Sequence, residues 1–426
     1  MDEIFQTQKA LKISQPGELE ITESSLVPRP EADEVLVRVI YVALNPVDSK
    51  STDLSPTLGA TIGCDFAGEV LQVGMNVKKL LSVGDRVCGS VLGNNPDGLD
   101  NGAFSEYVTV AGDLLIKIPS SMSYQTAATL GIGLATVGLA LHRLKVPFPG
   151  AEISENIERK SILIYGGGTA TGGLAIQIAR MCGMVPITTC SPRNFDRVKA
   201  LGAVAVFDYH QPDCGSEIHT FTKDHLGYAI DCITDTSGGQ YVGLDPFPIR
   251  SHTRRSIKPN WIIAFTLLNK PLNWKRPFLR EAKPQDREFG ERWFKIIQEL
   301  LDQEAIEAHP YEERAGGLEG VIDGLAKCSF RAELKVIGFD NVCIVNLKIS
   351  TLSSASSLPS AAAFNPRTSI STRDYQNLSY CFYLYFLVTT VTSKDNPQMP
   401  ALIWSINGLR TFAIAMMAIA LDFLIG

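Results

Sequence analysis

The residues best suited to chemistry sit in one run, Ser161-Ile-Leu-Ile-Tyr-Gly-Gly-Gly-Thr-Ala-Thr-Gly-Gly-Leu-Ala-Ile-Gln-Ile-Ala-Arg180. A buried-strand pattern leads into Gly166, Gly167, Gly168 and Thr169. A helix pattern follows, with Leu174, Ile178 and Met181 on one face and Gly183 just past its end. Strand, glycine turn and helix in that order begin a dinucleotide-binding βαβ unit. Backbone N–H groups of such a turn, with the positive helix N-terminus, hold a pyrophosphate. The spacing departs from strict G-x-G-x-x-G, and tight packing of a helix on a strand also selects glycine.

Further along, Val185 to Cys190 reads as the second strand and ends in Ser191-Pro192-Arg193-Asn194-Phe195. An NAD site places Asp or Glu there for the ribose 2′-hydroxyl. Here the first carboxylate is Asp196, already inside the next helix, while a serine and an arginine hold the position. That composition suits a 2′-phosphate and so NADPH; the plainer reading of Arg193 is a solvated helix-start residue. A helix through Phe195, Val198 and Leu201, a strand to Tyr209, a helix around Ile218 and Phe221, and a strand over 228–233 complete a doubly wound sheet.

The elements that position this turn need a long chain, and 426 residues allow two or three domains with a substantial core. Charged residues are 20% and hydrophobic ones 45%, as in ordinary globular proteins. A net charge of −6 offers no overall basic face, which argues against a nucleic-acid partner. The nine cysteines show neither C-x-x-C nor His/Cys ligand spacing, so reduced thiols and an intracellular, cytoplasmic setting are expected. The polar Met-Asp-Glu start carries no secretory signal.

Residues 1–125 read as β-rich, with short strands punctuated by Gly-Asp and Val-Gly pairs. The segment Asn45-Pro46-Val47-Asp48-Ser49-Lys50 reads as a turn into a short polar segment, and Ala127 to Leu144 as one helical stretch of small residues. Asn45-Pro46-Val47-Asp48, Gly63-Cys-Asp-Phe-Ala-Gly68, Val83-Gly-Asp-Arg-Val87, Gly102-Ala-Phe-Ser-Glu-Tyr107 and the glycine turn occur in that order. The set resembles the medium-chain dehydrogenase/reductase superfamily over about residues 5–340. Tyr165-Gly-Gly-Gly-Thr-Ala-Thr171, Thr189-Cys-Ser-Pro-Arg-Asn-Phe195 and Tyr241-Val-Gly-Leu-Asp-Pro-Phe-Pro248 are similar, more narrowly, to the trans-acting enoyl reductases of fungal polyketide pathways.

The resemblance implies an α/β chain: a GroES-like β-rich barrel domain (1–125, completed by about 285–340) and a Rossmann doubly wound parallel sheet domain (126–284). The superfamily's zinc-binding members carry Cys, His and Glu ligands. Ala43-Leu44-Asn45 and Gly63-Cys64-Asp65 stand at those positions here, so the zinc-free branch is expected. What that branch does is deliver hydride from NADPH to the β-carbon of an α,β-unsaturated thioester. A donor at the carbonyl oxygen and an acid at the α-carbon are then needed.

By the same resemblance Lys50 and Thr136 supply these roles. Thr136, Val137, Gly138, Leu139, Ala140, Leu141, His142 and Arg143 would line an acyl channel. NADPH contacts fall to Val47, Asp48, Ser49, Lys50, Gly166, Gly167, Gly168, Thr169, Thr189, Cys190, Ser191, Pro192, Arg193, Tyr209, Leu244, Asp245, Leu334 and Lys335. His142 and His219 have no visible partners and read as structural. The implied partner is a polyketide synthase presenting a carrier-bound acyl chain, with the enzyme a monomer or homodimer. A stand-alone quinone or enone reductase, or a non-catalytic homologue, are the other readings.

Two segments depart from the family pattern. Only six residues, 234–239, separate the strand over 228–233 from the strand-like run 240–244, and parallel neighbours ordinarily need a crossover of about a dozen residues or more. A crossover helix is therefore missing, and the sheet is rearranged or a piece of sequence is absent. Beyond Phe339, residues 341–426 form an atypical tail: a Ser/Thr/Ala-rich linker over 349–373, then apolar stretches over 378–392 and 400–426. Neither stretch reaches the roughly 18–20 clean residues of a spanning helix. A membrane hairpin or anchor and a translated non-coding extension both fit this tail.

Overall fold

In the computed structural model the described residues are 6–151, 160–223, 225–233, 240–244, 259–333 and 342–347. Aliphatic and β-branched residues in short alternating runs build the first half. A ribbon of β1 (Thr7–Gln15) and β2 (Glu18–Leu26) precedes β3 (Glu34–Leu44), α1 (Pro46–Leu54), β4 (Asp65–Val73), β5 (Arg86–Ser90), β6 (Tyr107–Ala111) and β7 (Ile116–Lys117). Next, α2 (Tyr124–Ala128) and α3 (Gly131–Arg143) lead into the second half. That half contains β8 (Ser161–Tyr165), α4 (Ala170–Met181), β9 (Val185–Thr189), α5 (Phe195–Ala200), β10 (Ala205–Phe207) and α6 (Cys214–Thr222). It continues with β11 (Leu226–Asp231), β12 (Gln240–Gly243) and β13 (Pro259–Trp261). The described chain ends with α7 (Pro284–Asp302), β14 (Tyr311–Arg314), α8 (Gly317–Glu333) and β15 (Val342–Asn346).

The second half holds a six-stranded sheet in the order β10-β9-β8-β11-β12-β13, every pair parallel, which is the doubly wound order expected. The first half holds a mainly antiparallel sheet in the order β14-β15-β3-β4-β5-β7, with β6 paired to β3. One large core cluster spans both. It joins Ala127 and Leu134 of the connecting helices to Ile164 of β8, Ile176 of α4 and Trp293 of α7.

Four expectations are corrected. The segment after Asn45 is helix α1, not a turn: Pro46 occupies the first helical position, where its missing N–H costs nothing, and Asp48 Oδ2 accepts the N–H of Asn45 at 2.8 Å. The single helix over 127–144 is two, divided at Thr129–Leu130. A Cβ at Gly131 would meet the Asp65 carboxylate at 2.6 Å, and Asp65 Oδ1 accepts the Ile132 N–H at 2.6 Å, which starts α3 afresh. The sheet is not rearranged at the short connection, for β12 is the parallel neighbour of β11. Of the residues between them, 234–239 lie outside the described residues. The tail does not begin at 341 either. Val342-Cys-Ile-Val-Asn346 pairs antiparallel with β3 and parallel with β14, and Ile344 and Val345 are fully buried. The linker and both apolar stretches of the tail fall outside the described residues, among which no helix is long and apolar enough to cross a membrane.

A buried polar cluster ties α1, β4 and α3 together. Asn45 Nδ2 donates to Asp65 Oδ2 at 2.9 Å and faces Cys64 Sγ at 3.5 Å, while Asp48, Cys64 and Asp65 are 3%, 1% and 1% exposed. Burial pushes the Asp48 carboxyl up to about 7, against the lowering effect of the bonds from Asn45 and Cys64. Desolvation also raises Asp65 well above the carboxylate range. A carboxyl that binds its proton more tightly folded than unfolded adds stability at low pH and loses it as pH rises through the folded value. Stability is therefore expected to fall between about pH 4 and 7, by up to about 1.4 kcal/mol per unit for each such group. Ion-paired Asp85, Asp100 and Glu291 are shifted down and act below that window. Urea midpoints at pH 5 and 7.5 check this. Asp48→Asn keeps an acceptor oxygen and should flatten the slope; an unchanged slope excludes Asp48 as its source.

Candidate active site

The glycine turn is shaped as a cradle. Gly166, at φ +89°, reverses the chain after β8, and its N–H donates to the Thr189 carbonyl and Oγ1, both at 3.2 Å. Thr169 caps α4, its Oγ1 accepting from Gly172 N at 3.0 Å and donating to the Gly166 carbonyl at 2.8 Å. The N–H groups of Gly168, Ala170 and Thr171 meet no acceptor among the described residues. Three open donors at the head of a 12-residue helix, beside glycines whose Cβ atoms would collide with Asn194, Thr188 or the turn itself, fit a pyrophosphate.

At the end of β9, Thr189 to Arg193 include no carboxylate. Ser191 Oγ lies 3.2 Å from Tyr209 Oη, which brings two hydroxyls from adjacent strand ends together. Pro192 and Arg193 are exposed, and Cys190 is buried, its thiol pushed up to about 11 by burial. Arg197, one helical turn beyond Arg193, donates to the Gly168 carbonyl at 3.1 Å. It clamps the turn to α5, and nothing in the sequence pattern singled it out. Leu244 is half-buried after β12, with its N–H on the Asp231 carbonyl, whereas Asp245, Leu334 and Lys335 lie outside the described residues.

Across the cleft, the sequence-predicted groups come from two helix faces. Val47 and Lys50 are one turn apart on α1, as are Ile132 and Thr136 on α3, and Val47 and Ile132 pack into one cluster with Cys64. The Lys50 side chain is exposed, Ser49 half-buried and Asp48 buried. Thr136 is half-exposed, and its hydroxyl makes no hydrogen bond among the described residues. Two partly open faces carrying an ammonium and a hydroxyl thus border the same apolar cluster.

The rest of the expected acyl-lining run faces elsewhere. Val137, Leu139, Ala140 and Leu141 are core residues, and a Cβ on Gly138 would collide with the Trp293 indole, whose Nε1 donates to the Leu134 carbonyl at 3.0 Å. Arg143 contacts both oxygens of buried Asp286 at 2.6 Å, and Asp286 also accepts from Thr266. His142 stacks on Phe289 at 4.2 Å, so it does have a partner. These residues belong to the core that packs α3 against α4 and α7. The apolar wall beside Val47 comes instead from Phe265, Leu272, Trp274 and Phe278, residues without a motif of their own.

Comparison with known proteins shows the family and the fold. Residues 31–120 match the alcohol dehydrogenase GroES-like domain. Trans-enoyl reductase opdC of Penicillium oxalicum is 48% identical over 345 residues, covering 76% of this chain and 94% of the relative. Trans-enoyl reductase apdC of Emericella nidulans is 48% identical over 332 residues, covering 75% and 92%. Among solved structures, the CurK enoyl reductase superposes with a TM-score of 0.59 at 18% identity, over 80% of this chain and 99% of that one. The quinone oxidoreductase of Coxiella burnetii does so with 0.57 at 20%, over 80% and 100%, and both share the fold. At this level of identity over nearly the full length of its relatives, the chain belongs to the trans-enoyl reductases of the medium-chain dehydrogenase/reductase superfamily.

Proposed function

We propose that this chain is an NADPH-dependent enoyl reductase that acts in trans on α,β-unsaturated acyl thioesters carried by a polyketide synthase. Identity of 48% to proteins named trans-enoyl reductases, over three quarters of the chain, carries the reaction class. For the choice of cofactor the support is the end of β9, where Ser191, Tyr209 and Arg193 stand in place of a ribose-binding carboxylate.

Bound NADPH supplies the hydride for the β-carbon. The protein's part is to hold the thioester and manage charge and proton. In this reading Thr136 donates its hydroxyl hydrogen to the thioester oxygen as negative charge grows there. Lys50, whose ammonium has a transferable proton, provides the acid for the α-carbon. Phe265, Trp274 and Phe278 keep water from the acyl chain.

Fluorescence titration with NADPH and NADH tests the cofactor. Micromolar NADPH binding with much weaker NADH binding is expected for the full chain and for one ending at residue 347. Arg193→Ala should weaken NADPH about tenfold to a hundredfold, the loss of one charge-assisted contact, and leave NADH unchanged. Equal weakening of both nucleotides refutes a 2′-phosphate role. Lys50→Met should lower kcat on an enoyl thioester about a hundredfold or more, a larger loss than any it causes in NADPH affinity. Wild-type rates on free quinones above those on any thioester would favour a stand-alone quinone reductase.

A further inference from the structure

Net acidity hides one strongly basic segment. Residues 270–283 contain Lys270, Lys275, Arg276, Arg280 and Lys283 against a single carboxylate, Glu281, in a chain of net charge −6. The segment folds as a tight hairpin, with Leu272 and Arg280 exchanging both backbone hydrogen bonds at 2.8 and 3.0 Å. Lys275 N donates to Ser55 Oγ and Trp274 Nε1 to the Asn94 carbonyl, both at 2.8 Å, so the hairpin sits against the C-terminal end of α1. Its inward side chains, Leu272, Trp274 and Phe278, form the apolar wall that reaches Val47 and Ile132.

Arg280 stands where this wall meets the second sheet. Its guanidinium lies over the Trp261 ring, 4.1 Å from the centroid, and Trp261 ends β13. Ligands of doubly wound sheets bind beyond the carboxyl ends of the strands. Nη1 donates to the Pro277 and Leu279 carbonyls at 2.6 and 2.8 Å, which fixes the plane of the group. Nε and Nη2 meet no acceptor, and no carboxylate pairs with Arg280, among the described residues. Lys270, by contrast, is engaged with Glu31 and Glu34. An oriented, half-buried guanidinium edge without a counter-ion is built to take a phosphate oxygen. Lys275 and Arg276, both exposed, extend positive charge outward from it.

Resting on the enoyl reductase reading above, we propose that Arg280 binds the phosphodiester of the phosphopantetheine arm that delivers the acyl chain. The arm would enter past Arg280 and lay its thioester along the Trp274 and Phe278 wall toward Lys50. Exposed Lys275 and Arg276 then meet the acidic surface of a carrier protein, so we commit to a carrier-borne arm over a free coenzyme thioester. Stacked on Trp261, the guanidinium keeps its orientation before the ligand arrives, which limits the entropy lost on binding.

The test compares four donors of one enoyl chain: the pantetheine thioester, which lacks phosphate, the phosphopantetheine thioester, the coenzyme A thioester and the carrier-loaded chain. Arg280→Met should cut the preference in kcat/KM for phosphopantetheine over pantetheine about tenfold, with Arg280→Lys recovering part of it. Arg280→Met should also weaken direct binding of phosphopantetheine itself, read by calorimetry. The double substitution Lys275→Glu/Arg276→Glu should slow the carrier-loaded chain more than the coenzyme A thioester; equal slowing removes the carrier assignment. An unchanged preference for the phosphorylated thioester, or equal losses on both thioesters, overturns the role of Arg280. Wild-type protein that binds NADPH yet reduces none of the four refutes the enoyl reductase reading, and this proposal falls with it.

Discussion

The site hangs from one buried carboxylate. Asp65, at the head of β4, accepts from the first free N–H of α3 at 2.6 Å and from the Asn45 side chain before α1 at 2.9 Å. An acid that is 1% exposed tolerates no loose partners, since leaving a buried polar group unsatisfied costs about 1–3 kcal/mol. The two helices that carry Lys50 and Thr136 are thus pinned to one carboxyl group, one to each oxygen. Gly131 completes the constraint, because any side chain there would collide with Asp65 and with the Gly89 carbonyl. The angle between the Lys50 face and the Thr136 face follows from these contacts.

What Asp65 does for α1 and α3, Thr189 does for the glycine turn. Its carbonyl and hydroxyl receive Gly166 N, and the carbonyl receives Gly167 N as well, so the turn cannot lift from the end of β9. Arg197 holds the turn from the other flank. The N–H groups of Gly168, Ala170 and Thr171 stay open among the described residues, while those of Gly166, Gly167, Thr169 and Gly172 are taken up within the turn and by Thr189. The two halves meet through α3, whose apolar face packs against α4 and α7. Trp293 fills the space that Gly138 leaves. A relative rotation of the halves would have to empty that contact, which close packing resists.

Much of the cofactor half was legible because its signals are local. A strand, a glycine turn and a helix are fixed by hydrogen bonds within a few residues, and the absence of acid at Ser191 is a fact of composition. The acyl side was not. The run Thr136–Arg143 resembles a channel lining in sequence, but exposure on a helix depends on what packs against each face. Here the core buries Val137 to Leu141 between several elements, α4 and α7 among them, and Asp286 of α7 ties up Arg143. Trp274 and Phe278 were missed for the same reason: nothing local to the 272–280 hairpin says that it folds onto α1. Nor does the brevity of the β11–β12 connection reveal that the strands lie side by side, a fact that depends on the whole sheet.

The sequence by itself determined the class of fold, the strand, glycine turn and helix over 161–181, the residue types at the end of β9 and, through its family resemblance, the reaction class. These rest on glycine conformations, hydrophobic periodicity and residue types, all of which act over short stretches of chain. Only the tertiary structure decided which side chains face the cleft. It made Asn45 to Lys50 the start of a helix, joined Asp48, Cys64 and Asp65 in one dry cluster, and set β15 into the first sheet beyond the point where the motifs stop. Burial and like-charge contact arise between segments far apart in sequence, and no local pattern encodes the distance between them.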